Sequence, residues 1–245
     1  MELLATIALM LATSGQPAEP TPTPDPEAAV LAETDRMGMR DYDERTRLAR
    51  THPNELWRLH GSDRAAQGDW EDAFRHFRKA ARYADKYSQH RISLMYWHGV
   101  GTPRDRALAY AWADLAAERS YPTFAILREK MWLELDEAER ERAVREGRAL
   151  YAEYGDVAAK PRLERAIARA RTQITGTRTG YLDGRLQVVG PTGGSDMLGG
   201  PGNFDLAPMY AAWRLDADRY WAVEDAIWRH GNVEVGPTAP ADPVR

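Results

Sequence analysis

The sequence predicts a mainly α protein, in which a short α/α helical-repeat array is closed by a long helix and followed by a small α+β C-terminal segment. Three observations lead to this prediction. Apolar side chains recur at helical spacing from residue 73 onward, parts of the chain overlay on themselves at an offset of 36 residues, and glycines stand where helices would end, at 68 and at 99–101.

The first strongly periodic helix begins after Asp69 and carries one apolar stripe at positions i, i+1, i+4, i+7, i+8 and i+11. Its members are Ala73, Phe74, Phe77, Ala80, Ala81 and Ala84. The next helix stops at Gly99-Val100-Gly101, and a third helix follows Pro103. Paired alanines would let helix backbones approach each other, and aromatic side chains would fill the spaces between them.

The offset of 36 residues aligns small residues with small residues and aromatics with aromatics. It places Asp69 on Asp105, Ala80-Ala81 on Ala116-Ala117, Phe74 on Tyr110 and Tyr96 on Trp132. The fullest pattern comprises Ala80-Ala81, Ala84, Ser88, Ile92, Leu94-Met95-Tyr96, Gly99, Gly101, Asp105, Ala109, Trp112 and Ala116-Ala117. This pattern resembles the Sel-one-like repeat, a relative of the tetratricopeptide repeat with a longer connection between its two helices.

The resemblance covers residues 55–150 approximately and implies a scaffold that binds other proteins, without implying a reaction. The turn at Gly68 is shorter than the glycine loop of the family. Arg128, Glu129 and Lys130 stand where the family has small and apolar residues, and no glycine loop follows Trp132. The array is therefore expected to end there.

Composition excludes several classes of function. The chain has 33 Lys and Arg against 37 Asp and Glu, so no basic excess points to nucleic acid. It has no cysteine, which excludes thiolate chemistry, disulfides and cysteine-based zinc sites. No stretch reaches the about 18 apolar residues that a membrane helix needs.

The first 54 residues divide into three parts. Residues 1–15 are predicted to be a signal peptide, because an apolar run ends in Ala12-Thr13-Ser14, although residue 2 is Glu; the alternative is an amphipathic start of the folded protein. Residues 16–26 alternate proline with other residues and are expected to form an extended linker. Residues 27–54 are expected to hold two short helices, with Pro53 as their stop and Asn54 as the N-cap of the next helix.

Residues 55–155 form the predicted repeat domain, closed by a helix from Asp136 to Tyr154 that Gly155 ends. Its buried side is expected to comprise Leu135, Ala138, Val144, Leu150, Tyr151 and Tyr154. Residues 156–245 form a C-terminal segment of mixed structure. It comprises a basic helix from Pro161, strands at 177–180 and 186–190, a Gly-rich loop at 190–202, a helix at 206–228 and a disordered tail.

No catalytic, cofactor-binding or metal-binding residue is predicted, because no triad motif, no P-loop and no His-x-x-x-His spacing occurs. Two weaker possibilities remain. The basic helix Lys160–Arg171 could lie on an anionic membrane surface or simply present a solvated face. Asp216 and Asp218, near Tyr220 and Trp221, could belong to an envelope enzyme acting on sugars or peptides, with its site in residues 176–235.

The predicted partner-binding residues are Tyr87, Arg91, Leu94 and His98, one stripe at i, i+4, i+7 and i+11 on the middle helix. The alternative is that another segment of the same chain covers this stripe. Together these features predict a protein-protein interaction scaffold or adaptor that needs no cofactor, secreted or located in a bacterial periplasm.

Overall fold

The computed structural model describes residues 39–172, 187–188, 204–205 and 207–229, and side chains within 42–172 and 209–229. Its helices are α1 Met39–Leu48, α2 Pro53–Ala66, α3 Trp70–Ala81, α4 Lys86–His98, α5 Arg106–Ala116, α6 Pro122–Glu134, α7 Glu137–Tyr154, α8 Asp156–Thr172 and α9 Ala217–Arg229. Three short 3-10 turns lie at Ala49–Thr51, Ala117–Arg119 and Ala207–Tyr210. The prediction of a mainly α fold is confirmed. None of the described helices is both long and apolar enough to cross a bilayer.

Two short strands pair in the C-terminal segment. The strand β1, Gln187–Val188, runs antiparallel to β2, Phe204–Asp205. β1 falls inside the strand expected at 186–190. The partner expected for it, at 177–180, lies outside the described residues, as do the predicted signal peptide, the linker, the Gly-rich loop and the tail.

Helix α5 lies at the centre of the described helices. Consecutive helices from α2 to α6 pack on each other, and α7 folds back onto α5. The main core cluster includes Phe77, Ile92, Trp112, Leu115 and Tyr154, which are all at most 3% exposed. Phe77 and Trp112 are therefore core residues, as their helical spacing predicts.

Aspartates cap the N-terminal ends of α3, α4, α5 and α7. The side chains of Asp69, Asp85, Asp105 and Asp136 accept from the backbone amide three residues further on. Each carboxylate satisfies an amide that has no partner within its own helix. The backbone amide of Glu139 donates to the Asp136 carboxylate, and the Glu139 carboxylate accepts from the backbone amide of Asp136, which completes a capping box.

The glycine stop between α4 and α5 is confirmed, and it needs glycine for two reasons. Gly99 and Gly101 both have positive φ, 71° and 69°. A Cβ on Gly101 would also lie 2.3 Å from the carbonyl oxygen of Trp70. At the end of α7, Gly155 has an ordinary φ of −63°, but a Cβ there would lie 2.6 Å from the oxygen of Tyr151.

Three expected helix starts were wrong. α2 begins at Pro53, so Asn54 lies inside the helix and is buried instead of capping it. α8 begins at Asp156 and contains Pro161 in its interior. The last helix begins at Ala217 rather than near 206, because Asp216 caps it by accepting from the amide of Arg219 at 3.0 Å.

The buried side expected for α7 agrees with the structure at Leu135 and Tyr154 but differs at Ala138 and Val144. Ala143, Gly147 and Tyr154 face the core, whereas Ala138 and Val144 are exposed. Gly147 faces α5, where an added Cβ would lie 3.9 Å from the Cβ of Ala111, an ordinary van der Waals distance.

Candidate functional site

The predicted partner-binding stripe is in contact with the rest of the chain. Arg91 is 2% exposed and lies over the ring of Phe77, and Leu94 is buried against Ala113 and Met131. The ring of Tyr87 stacks on Trp228 of α9, with 5.7 Å between centroids. His98 is half-buried at the end of α4. A segment of the same chain therefore lies against the start of this stripe.

A buried polar cluster fastens the turn before α9 and α9 itself onto α2. The Tyr220 hydroxyl accepts from the Asn54 side-chain amide and donates to Glu55 Oε1 at 2.9 Å. Arg214 Nη2 donates to Glu55 Oε2 at 2.7 Å. Burial opposes ionisation of Glu55, but Arg214 outweighs it and holds the pKa of this carboxyl below its usual value.

His52 also belongs to this cluster, and its contacts determine which ring nitrogen carries the proton. Its Nε2 lies 2.9 Å from the carbonyl oxygen of Arg214, which can only accept, so Nε2 carries the proton. Its Nδ1 lies 3.2 Å from Arg214 Nη2, which can only donate. Burial, aided by the charge of Arg214, lowers the pKa of His52 to about 4, so the ring is neutral at physiological pH.

A second ionic cluster joins α4, the 3-10 turn that follows α5, and α8. The Lys86 ammonium donates to Glu118 at 2.7 Å and to the Leu115 carbonyl at 3.0 Å, and it lies 3.2 Å from Asp156. Arg119 binds Asp156 through two nitrogens, at 2.7 and 2.9 Å. Burial favours the neutral form of Asp156, but Arg119 and Lys86 outweigh it and hold its pKa well below the usual range.

The two weaker hypotheses, a membrane-surface helix and a sugar site, both involve residues that pack against the rest of the protein. Leu163 and Ile167 of the basic helix are buried in one cluster with Tyr220 and Trp221 of α9. The apolar side of the basic helix thus lies against the protein itself. Asp216 is a helix cap, while Tyr220 and Trp221 are at most 7% exposed. The acids and aromatics proposed for a sugar site are therefore not gathered around an open cleft within the described residues.

Two half-buried histidines, His60 and His76, lie close together, although their spacing in the sequence did not predict this contact. The rings of His60 and His76, on α2 and α3, lie 5.5 Å apart, and Trp57 stacks on His76 at 5.4 Å. Burial lowers the pKa of both rings. In the described part of the chain no three potential ligands are grouped so that they could hold a metal ion.

An open groove of about 510 Å³ lies between the end of α6 and the outer side of α7. It is lined by Trp132, Arg140, Glu141, Val144, Arg145 and Arg148. Arg140 lies over the Trp132 ring at 5.1 Å and donates to its carbonyl at 3.0 Å, which fixes one wall. Arg145 and Arg148 are exposed, and no carboxylate of the described residues lies within 4 Å of either.

The groove was not predicted from the sequence, because Val144 was expected to lie in the core. The small residues Ala143 and Gly147, four apart, are continued by Leu150 and Tyr154 at i+7 and i+11. Val144 lies outside that stripe, next to Arg145 and Arg148. The stripe was therefore the sequence pattern that could have predicted an exposed Val144. The neighbouring α6 also exposes Ile126 and Leu133, which are 57% and 77% accessible.

No family model, no curated protein and no solved structure matches the chain.

Proposed function

We propose that this protein is a protein-binding scaffold of the helical-repeat type, rather than an enzyme. The spacing of its helices supports the repeat. The helices α3 and α5 begin at Trp70 and Arg106, and α4 and α6 begin at Lys86 and Pro122, each pair 36 residues apart. The caps Asp69 and Asp105 have the same spacing. We further propose secretion or a periplasmic location, as the apolar run in residues 1–15 predicts.

The groove between α6 and α7 is the binding surface that the geometry favours. Its walls combine an aromatic ring, an exposed valine, one glutamate and guanidinium groups for which the described part of the chain provides no carboxylate within 4 Å. An exposed apolar surface rimmed by charge is typical of an interaction site. The stripe Tyr87, Arg91, Leu94 and His98 is a weaker choice, because a partner would have to displace Trp228 from Tyr87.

The chemistry of the groove defines the class of partner. Arg145 and Arg148 would bind carboxylates, and Val144 with Trp132 would receive an apolar side chain. The proposed partner is therefore an acidic segment of another protein that carries an apolar anchor. The observation that carries this proposal is that two exposed arginines, Arg145 and Arg148, have no carboxylate within 4 Å among the described residues and lie beside an exposed apolar wall.

The test is a crosslinked pull-down of the tagged full-length protein from its own cells. We expect one abundant partner, lost when Arg145 and Arg148 are both changed to Glu. The matched control changes Arg165 and Arg171 of α8, also exposed, to Glu and should retain that partner. Equal capture by both double variants would reject the groove, and no specific capture by the wild type would reject the scaffold.

A further inference from the structure

The side of α6 that faces away from α5 carries an exposed stripe with an internal symmetry. Ile126 and Leu133 are exposed, and Glu129 and Lys130 are exposed between them. These four positions, i, i+3, i+4 and i+7, lie on one face of a helix. The opposite face is anchored in the protein, because Phe124 and Met131 are at most 3% exposed.

We propose that this stripe pairs with the same stripe of a second copy of the chain, with the two α6 helices antiparallel. If the twofold axis passes between Glu129 and Lys130, residues equally distant from that point face each other. Ile126 then contacts Leu133 of the partner subunit, and Glu129 contacts Lys130 of the partner subunit. Both contacts occur twice, which is the self-complementarity that a twofold interface requires.

Charge decides the direction of the two helices. A parallel pair would bring Glu129 to Glu129 and Lys130 to Lys130, and like charges repel. In the antiparallel pair every charge on the stripe faces its opposite. Arg128 binds Oε1 of Glu129 within the chain, which leaves Oε2 for a further donor.

The stripe is separate from the groove between α6 and α7, because the two surfaces share no residue. Self-association and partner binding can therefore be tested independently. One pair of helices buries less surface than the ~1,200–2,000 Å² of a standard stable complex. We therefore expect a weak dimer that dissociates on dilution.

Sedimentation velocity of the full chain over a series of concentrations tests the dimer. The wild type should shift from monomer to dimer as the concentration rises. Leu133→Ala should weaken the dimer roughly tenfold or more, since it removes two apolar contacts. Val157→Ala is the matched control, because Val157 is 92% exposed on another helix, and it should not change the dimer.

Charge reversal tests the antiparallel register. Glu129→Lys alone and Lys130→Glu alone should each weaken the dimer roughly tenfold, because each creates two like-charge contacts. Mixing these two variants should restore a dimer, since every contact between them is again between opposite charges. Circular dichroism verifies that each variant is folded.

A wild type that stays monomeric at every concentration, or a dimer that Leu133→Ala leaves unchanged, would overturn the proposal. Single variants that weaken the dimer but do not recover on mixing would overturn the antiparallel register.

Discussion

At the scale of single residues, the Tyr220 hydroxyl joins segments that are far apart in the chain. It bonds Asn54 and Glu55, 166 and 165 positions away, and the tyrosine is fully buried. In the sequence, Asn54 is a residue type that often caps helices and stands just before a predicted helix, so only a local role is indicated. Nothing in the local pattern reveals a distant hydroxyl, so this contact could not be predicted.

Tyr220→Phe should lower the free energy of unfolding by about 1–3 kcal/mol, because it leaves the Asn54 amide and a Glu55 oxygen buried without this partner. Urea denaturation measures the change. Tyr83→Phe is the control, since the Tyr83 ring packs in the same cluster as Tyr220 and no hydrogen bond of its hydroxyl is seen in the described structure. Equal losses for both variants would show that the buried bonds contribute nothing.

His52 should make stability depend on pH. Its pKa is about 4 in the fold, against 6.5 for an ordinary histidine, so the unfolded chain binds more protons between these values. Its stabilising effect is complete above pH 6.5 and is lost as the pH falls towards 4. One such group lowers the free energy of unfolding by ~2 kcal/mol between pH 7.5 and 5.

Urea titrations at several pH values measure that slope. His52→Gln keeps a donor at this place but does not titrate, so its free energy of unfolding should fall less over the same range. An unchanged slope in this variant would assign the pH dependence to other groups.

At the scale of helices, a boundary could be predicted from the sequence where residues next to it in the chain determine the backbone conformation. Gly99-Val100-Gly101 marks the end of α4, because both glycines adopt backbone angles that other residues avoid. Boundaries set by tertiary contacts were missed. Pro161 marks a helix start by sequence, yet α8 begins five residues earlier, where Asp156 binds Lys86 and Arg119.

Gly68 and Gly101 form a matched pair for testing these turns. Gly68 has φ 79° with nothing within 4 Å of a Cβ, so Gly68→Ala should lose only the about 1–2 kcal/mol of left-handed strain. Gly101→Ala has the same strain and also meets the Trp70 carbonyl. It should lose a further ~1–3 kcal/mol, as overpacking does. Thermal or urea unfolding compares them, and equal losses would mean that the backbone moves aside freely.

At the scale of the molecule, the C-terminal helix α9 is part of the folded body. Trp228 packs with Tyr121 and Phe124, and the Tyr121 hydroxyl donates to Asp225. The sequence predicted a helix in the regions of α8 and of α9, but it cannot say what each helix packs against. This is why the sequence left both choices open for the stripe at Tyr87 and gave no sign of the groove beside α7.

A chain that ends at residue 206 should therefore unfold at a lower temperature than the full chain and bind more of a dye for exposed apolar surface. This truncation removes α9 and the turn before it, which uncovers Tyr87 and Tyr121 and takes Tyr220 and Arg214 away from Glu55. A chain that ends at Arg229 keeps α9 and is the control, and it should melt at a higher temperature than the chain that ends at residue 206. An identical melting temperature for both truncations would mean that α9 adds no stability.

The burial of Lys86 has a practical consequence for chemical probing. The chain has only four lysines, and the Lys86 side chain is 1% exposed, whereas Lys79 and Lys130 are exposed. An amine-reactive reagent should modify those two at once but reach Lys86 only when the bonds to Glu118 and Asp156 open. The rate of its acetylation, read by mass spectrometry, would then report how often the junction of α4 and α8 opens in the native protein.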